Sequence, residues 1–205
     1  MKTKNLILVL GLLLSFHFYA QTEKGHFLIA ANSNFSFTSV STSVVDSDVE
    51  VNNTYLNFSS AAGYFVTNGL SIGLLANYTD NVNKGPINNS LLAGPFVRYY
   101  FAKSKKLFPF AQTAITFGSN SYEFEILSVT ENFNTKKVSS DIFGYEMDLG
   151  LSILLSKQIS FDIILGYAHT KEDTPYIDFN GTETTTEVST GAFGMNLGFS
   201  VFLGK

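Results

Sequence analysis

The stretch "FGYEMDLGLSILLS", residues 143–156, decides the fold. Phe143, Tyr145, Met147, Leu149, Leu151 and Ile153 take every second position, and Gly144, Glu146, Asp148, Gly150 and Ser152 fill the gaps. A period of two belongs to a β-strand, whose successive side chains point to opposite faces. One face here is bulky and apolar, and the other is small, with two carboxylates two residues apart. That pair is open to three readings. It is a catalytic pair, a metal site, or the inward side of a wall whose outward side meets lipid.

The same alternation recurs along the chain. In 25–38, Phe27, Ile29, Ala31, Phe35 and Phe37 share a face opposite His26, Ala30, Asn32, Asn34 and Ser36. Segments 55–66, 69–79 and 90–102 repeat it, the last setting Leu91, Ala93, Val97, Tyr99 and Phe101 against Gly94, Phe96, Arg98 and Tyr100. Segment 107–118 alternates loosely, with Gln112 and Thr116 on the polar side, and 140–154, 159–170 and 190–204 alternate cleanly. These are eight predicted strands, each near the ~9–11 residues that a tilted strand needs to cross a bilayer. Pro95 falls inside the fourth and removes a ladder donor, so a local bulge or an irregular start is expected there.

The connections alternate as well. Three are short, at 67–69, 103–106 and 156–158, and four are long and polar, at about 39–53, 80–89, 119–139 and 171–189. Short turns at one end and long loops at the other are the mark of outer-membrane barrels. An even strand count leaves both termini with the short turns. A soluble eight-stranded barrel would carry Lys and Glu on its polar face. Here that face is mostly Gly, Ser, Asn and Ala, which suits a crowded narrow interior.

The chain ends support export. Lys2 and Lys4 precede the apolar run 5–16, which has signal-peptide length and is too short for a membrane span. Residues 1–20 are therefore expected to be removed after Ala20, leaving 21–205 as one barrel domain. The remaining chain then has eleven basic residues against 17 acidic ones, a formal charge of −6. That balance argues against nucleic acid, for which a basic patch supplies most of the affinity. The absence of cysteine excludes a lipid-anchored lipoprotein and a disulfide scaffold.

By parity Arg98, Glu146, Asp148 and Asp162 all face inward. Turning Arg98 to mid-depth lipid would cost on the order of 2–4 kcal/mol, whereas inside it can hydrogen-bond to carboxylates. Counting residues from the short turns puts Arg98 and Asp162 at similar depth, Asp148 higher, and Glu146 nearest the loop mouth. This predicts a lumen charge network with Arg98 paired to Asp162 or Asp148. It serves as lumen filling, or as a charge switch in a narrow conduit.

Catalysis is not expected. His169 has only Thr170 as a close hydroxyl, on the opposite face, and His26 has no partner in sequence. No metal-ligand spacing appears, and no cofactor is expected. "DSDVE", 46–50, reads as a solvated loop that touches divalent cations of a lipopolysaccharide surface at most. Tyr55, Tyr78, Tyr99, Tyr100 and Tyr167 are candidates for interfacial aromatic girdles.

"GYFVTNGLSIGL" (63–74), "GPFVRYYF" (94–101), "KLFPFAQTAITFG" (106–118) and "GMNLGFSVFL" (194–203) resemble the small outer-membrane β-barrel domain family. The relation is to OmpA- and OmpX-type barrels, in the version common among Bacteroidota, and it covers essentially all of 21–205. The last strand resembles the signal read by the barrel-assembly machinery, with Asn196, Gly198, Val201 and Leu203 in its positions. In that family the final apolar residue usually ends the chain, whereas here Gly204 and Lys205 follow. The resemblance implies a chaperone-dependent route to the outer membrane, lipid and lipopolysaccharide as surroundings, and no cofactor.

The expectation is an all-β, eight-stranded antiparallel up-and-down transmembrane β-barrel. Its expected role is structural or surface-interacting, with an extracellular partner reached through the long loops. A narrow pore or small-solute transporter and a lipid-modifying enzyme are the alternatives. The third loop, 119–140, is expected either to continue two strands above the membrane or to remain a loop.

Overall fold

The computed structural model describes residues 22–34, 55–81, 88–101, 106–127, 133–177 and 183–204. The alternating segments form β1 (Phe27–Asn34), β2 (Tyr55–Thr67), β3 (Leu70–Asn81) and β4 (Asn88–Tyr100). They continue as β5 (Leu107–Leu127), β6 (Phe133–Leu154), β7 (Ile159–Ile177) and β8 (Glu183–Leu203). Each strand pairs antiparallel with the next, and β1 closes on β8 from Phe27↔Leu203 to Asn34↔Asn196. Closure leaves no sheet edge along the wall, which is what hydrocarbon requires of a β-structure.

The two faces are inverted relative to a soluble protein. Outward residues such as Leu74 (68%), Leu149 (65%) and Leu165 (61%) are exposed, while Arg98 and Asp162 are fully buried in the lumen. Outward aromatic pairs gather in two bands. Phe27–Tyr64, Tyr99–Phe101 and Phe161–Phe199 lie towards the short-turn end, and Phe117–Phe143, Tyr145–Tyr167 and Tyr167–Phe193 lie towards the loop end. Rings with a polar tip favour the headgroup level, and the aliphatic belt between the bands meets acyl chains. The molecule is a closed, eight-stranded, antiparallel transmembrane β-barrel.

Three expectations need correction. Pro95 makes no bulge: β4 and β5 pair as Ala93↔Phe117 and again as Phe96↔Ala114, which is one register. The ladder merely skips Gly94 and Pro95. Proline cannot donate, but a Cβ on Gly94 would strike the Ile115 carbonyl, so glycine there lets β5 stay close. The register shift that does occur lies between Phe65 and Thr67, beside the two-residue Asn68-Gly69 turn. Tyr100 belongs to no girdle; its ring is 3% exposed inside the barrel. Tyr78, Tyr99 and Tyr167 do face outward, and the side chain of Tyr55 lies outside the described residues.

The third correction concerns length. β5 and β6 pair as far as Leu127↔Phe133, and β7 and β8 as far as Ile177↔Glu183. The segments 171–177 and 183–189, expected as loop, are strand, and 119–127 with 133–139 takes the hairpin alternative of the third loop. β6 and β7 separate above Asp141↔Asp173, so the wall divides there into two hairpins. The loops at 39–53 and about 82–87, with "DSDVE", lie outside the described residues.

Candidate functional site: the lumen

The lumen is layered along its axis. At the short-turn end, inward positions near the strand termini carry large rings: Phe65, Tyr100, Phe108, Phe110 and Phe202, with Leu28, pack into one buried cluster. Tyr100 contacts Phe110 at 5.4 Å and Phe202 at 6.0 Å between ring centroids. Arg98 lies over this cluster, its Cζ 4.3 Å from the Phe110 ring centre. A guanidinium on an aromatic face is a favourable way to bury a charge beside hydrocarbon.

The polar layer is built around Arg98, the chain's only arginine. Its Nη1 lies 3.5 Å from Asp162 Oδ2 and donates to Ser200 Oγ at 3.3 Å and to the Tyr100 hydroxyl at 3.4 Å. Ser200 Oγ donates to Asp162 Oδ2 at 2.5 Å, and Ser160 Oγ donates to Asp162 Oδ1 at 2.8 Å. Arg98 Nε donates to Gln112 Oε1 at 2.8 Å, and Gln112 Nε2 donates to Asp148 Oδ2 at 3.0 Å. The amide of Gln112 thus relays between a cation and a carboxylate that do not touch. Arg98 Nη2 finds no acceptor among the described residues.

Sequence parity therefore brings Arg98 and Asp162 together directly and Asp148 indirectly. Glu146 stands apart, nearer the loop end, where it accepts from Asn77 Nδ2. Two parts of the network escaped sequence reasoning. Ser160 and Ser200 carry nothing to set them apart from other small inward residues. The aromatic layer was legible in principle, since Phe65, Tyr100 and Phe202 all sit at inward parity beside strand ends.

The other residues singled out are placed as follows. Gly198 is buried opposite Asn32, and a Cβ there would meet the Asn32 side chain. Asn196 is half-buried on the inward face, while Val201 and Leu203 face outward on the seam with β1. His169 turns outward and its ring stacks 5.1 Å from Tyr145. His26 is buried beside Gly204 at the short-turn end. Among the described residues, no three His, Cys, Asp or Glu side chains are placed to hold a metal ion.

Above the polar layer the lumen widens into a vestibule of about 370 Å³, lined by residues of β2 to β8. Amide and hydroxyl groups from Asn57, Asn77, Thr79 and Ser90 line one side, and Glu146, Asp148 and Glu172 line the other.

No protein-family model matches the chain, and no curated protein matches it. Among solved structures, the chain is similar to a major outer membrane protein from Thermus thermophilus. That match has a TM-score of 0.56 at 10% identity and covers 87% of this chain and 99% of that one. It is also similar to the outer membrane protein OprG from Pseudomonas aeruginosa, with a TM-score of 0.55 at 13% identity, covering 91% and 100% of the two chains. At these identities the likeness concerns the fold: both are barrels of the kind found in bacterial outer membranes.

Proposed function

We propose that the chain is an integral protein of a bacterial outer membrane, exported by a signal peptide at residues 1–20, with a structural or surface-interaction role exercised at its loop end. One observation carries this reading. The wall presents hydrocarbon outward over its whole circumference, while the lumen beneath the vestibule is filled by buried rings and by an ion-paired layer without solvent exposure. A filled barrel offers no path through, so its function falls to its outer mouth. In this reading the short turns are periplasmic, and lipopolysaccharide surrounds the upper girdle. The closing strand, with Asn196, Gly198, Val201 and Leu203, is what the assembly machinery reads. The chain belongs with the small OmpA- and OmpX-type barrels in their Bacteroidota version. The two tall hairpins, β5–β6 and β7–β8, provide a backbone surface that an extracellular partner can engage.

The chain is read as a non-enzyme. His169 stacks on Tyr145 on the outer wall, away from the lumen carboxylates. The test is single-channel recording in planar bilayers. The folded protein is expected to give no discrete opening steps, whereas steps that enlarge in Arg98→Ala would establish the pore alternative instead.

A further inference from the structure

The outer wall carries a groove across β5 to β8, bounded by two register rows of outward residues. The lower row runs Ala111–Leu149–Leu165–Met195, and the upper runs Met147–Tyr167–Phe193. Between them lies the row Gln112–Asp148–Gly166–Gly194, whose two side chains turn to the lumen, so backbone floors the groove. The bounding side chains stand well out from the wall: Phe193 is 86% exposed and Met147 61%. A Cβ on Gly191 would strike the Tyr167 hydroxyl, so this glycine lets the ring lean towards the loop end and away from the groove. The enclosed space is about 880 Å³, which is of small-ligand size.

The shape of the groove selects its occupant. From β5 to β8 it spans three strand spacings, ~14 Å, the length of about eleven methylenes in an extended hydrocarbon chain at ~1.3 Å each. It also rises along that path. Ala111 is four residues above the short-turn end of β5 at Leu107, whereas Met195 is eight above the short-turn end of β8 at Leu203. The upper end meets the Tyr167–Phe193 ring pair of the loop-end band, 4.9 Å between centroids, and the lower end lies in the aliphatic belt. A lipid tail hanging from the headgroups of the loop-side leaflet has that direction and those surroundings. Between two rows of side chains such a tail makes more contacts per carbon than on a smooth wall, and the two methionines adapt to its bends.

We propose that this groove seats one acyl chain of a lipid from the loop-side leaflet, entering beside Phe193 and ending at Ala111, in one-to-one stoichiometry. The inference rests on the wall's placement in a membrane and is independent of any role for the loop end.

The experiment is native mass spectrometry of the full chain, folded in polyoxyethylene detergent and titrated with didodecanoyl phosphatidylcholine. The expected result is a first lipid retained at least tenfold more tightly than the second, on a monomeric chain. Dihexanoyl phosphatidylcholine, too short to fill the groove, should show no such step. Ala111→Phe, which blocks the deep end, should reduce the step at least fivefold, and Leu74→Phe, on the apolar wall of β3, should leave it intact. Graded retention without the step, in a chain that folds in micelles, overturns the proposal and leaves the transmembrane wall standing. So does a step unchanged by Ala111→Phe, a step lost equally in Leu74→Phe, or a dimer that forms in place of the lipid adduct. If Ala111→Phe does not fold, Phe193→Ala, which removes the upper rim, decides the matter by the same fivefold loss.

Discussion

Arg98 Nη1 and Asp162 Oδ2 stand 3.5 Å apart across the lumen, neither side chain exposed, and Ser200 Oγ hydrogen-bonds to both. The two residues are 64 positions apart in the chain and are joined only because the barrel closes. A pair so deeply buried contributes little net stability when intact, since desolvation offsets the attraction. Broken, it leaves a charge with no solvent. Asp162→Asn is therefore expected to destabilise the barrel by about 3–5 kcal/mol, read as a lowered urea midpoint in micelles. The double variant Asp162→Asn, Arg98→Gln should recover a large part of that loss.

Lys171 and Glu187 give the contrasting case. Their ion pair, at 3.0 Å, joins side chains 49% and 58% exposed on the outer wall. Water screens such a pair, so Lys171→Gln should cost less than about 1 kcal/mol, and added salt should shrink the difference further.

Leu149 and Leu165 face each other across β6 and β7 in the apolar belt. Leu149→Arg should make folding into phospholipid vesicles less favourable by about 2–4 kcal/mol, whereas Ser189→Arg, on the exposed wall near the loop end, should change it by less than about 1 kcal/mol. Equal effects at both positions would show that the wall does not traverse a bilayer at the assigned depth.

Gly198 sits where β8 closes on β1. A Cβ there meets the Asn32 side chain and the Ala31 carbonyl. Gly198→Val should cost about 1–3 kcal/mol through overpacking and reduce the folded yield, measured by the fraction of chain that resists protease after refolding.

Gly69 turns the β2–β3 hairpin with a φ of +86°, and a Cβ there would stand 3.0 Å from the Tyr100 carbonyl oxygen. Gly69→Ala should destabilise by about 1–2 kcal/mol from the left-handed backbone alone, again as a shift in the urea midpoint. Asn68→Gly, which keeps the permissive position, should change much less.

Much of the architecture was legible in the sequence because a lipid-facing wall imposes a period of two with the sides reversed. Phe143, Met147 and Leu149 opposite Glu146 and Asp148 already state which side is which. Parity also placed Arg98 and Asp162 in one interior, and residue counting from the short turns put them at one depth. The extensions of β7 and β8 were not legible. Above the membrane both faces of a strand meet water, so segments such as "TETTTEV" at 182–188 lose the apolar stripe that marks the spanning part. Only their β-branched threonines and valine hint at strand.

Pro95 shows a second limit. A proline in a strand costs a hydrogen bond, but whether the strand then bulges depends on the neighbour across the ladder, and Gly94 allows β5 to keep its register. Tyr100 shows a third: an interfacial residue and a lumen plug have the same chemistry, and only the strand's phase and the rings facing it separate them.

What the chain by itself determined is sidedness, since each residue's face follows from its position within its own strand. What the closed barrel decided is partnership. Gln112 relays Arg98 to Asp148 across the neighbouring strands β4, β5 and β6, whereas Ser200 bridging Arg98 to Asp162 joins β4 to strands distant in sequence. Those meetings depend on register and on the curvature that brings β4 opposite β7 and β8, geometric quantities that no local pattern of residues encodes.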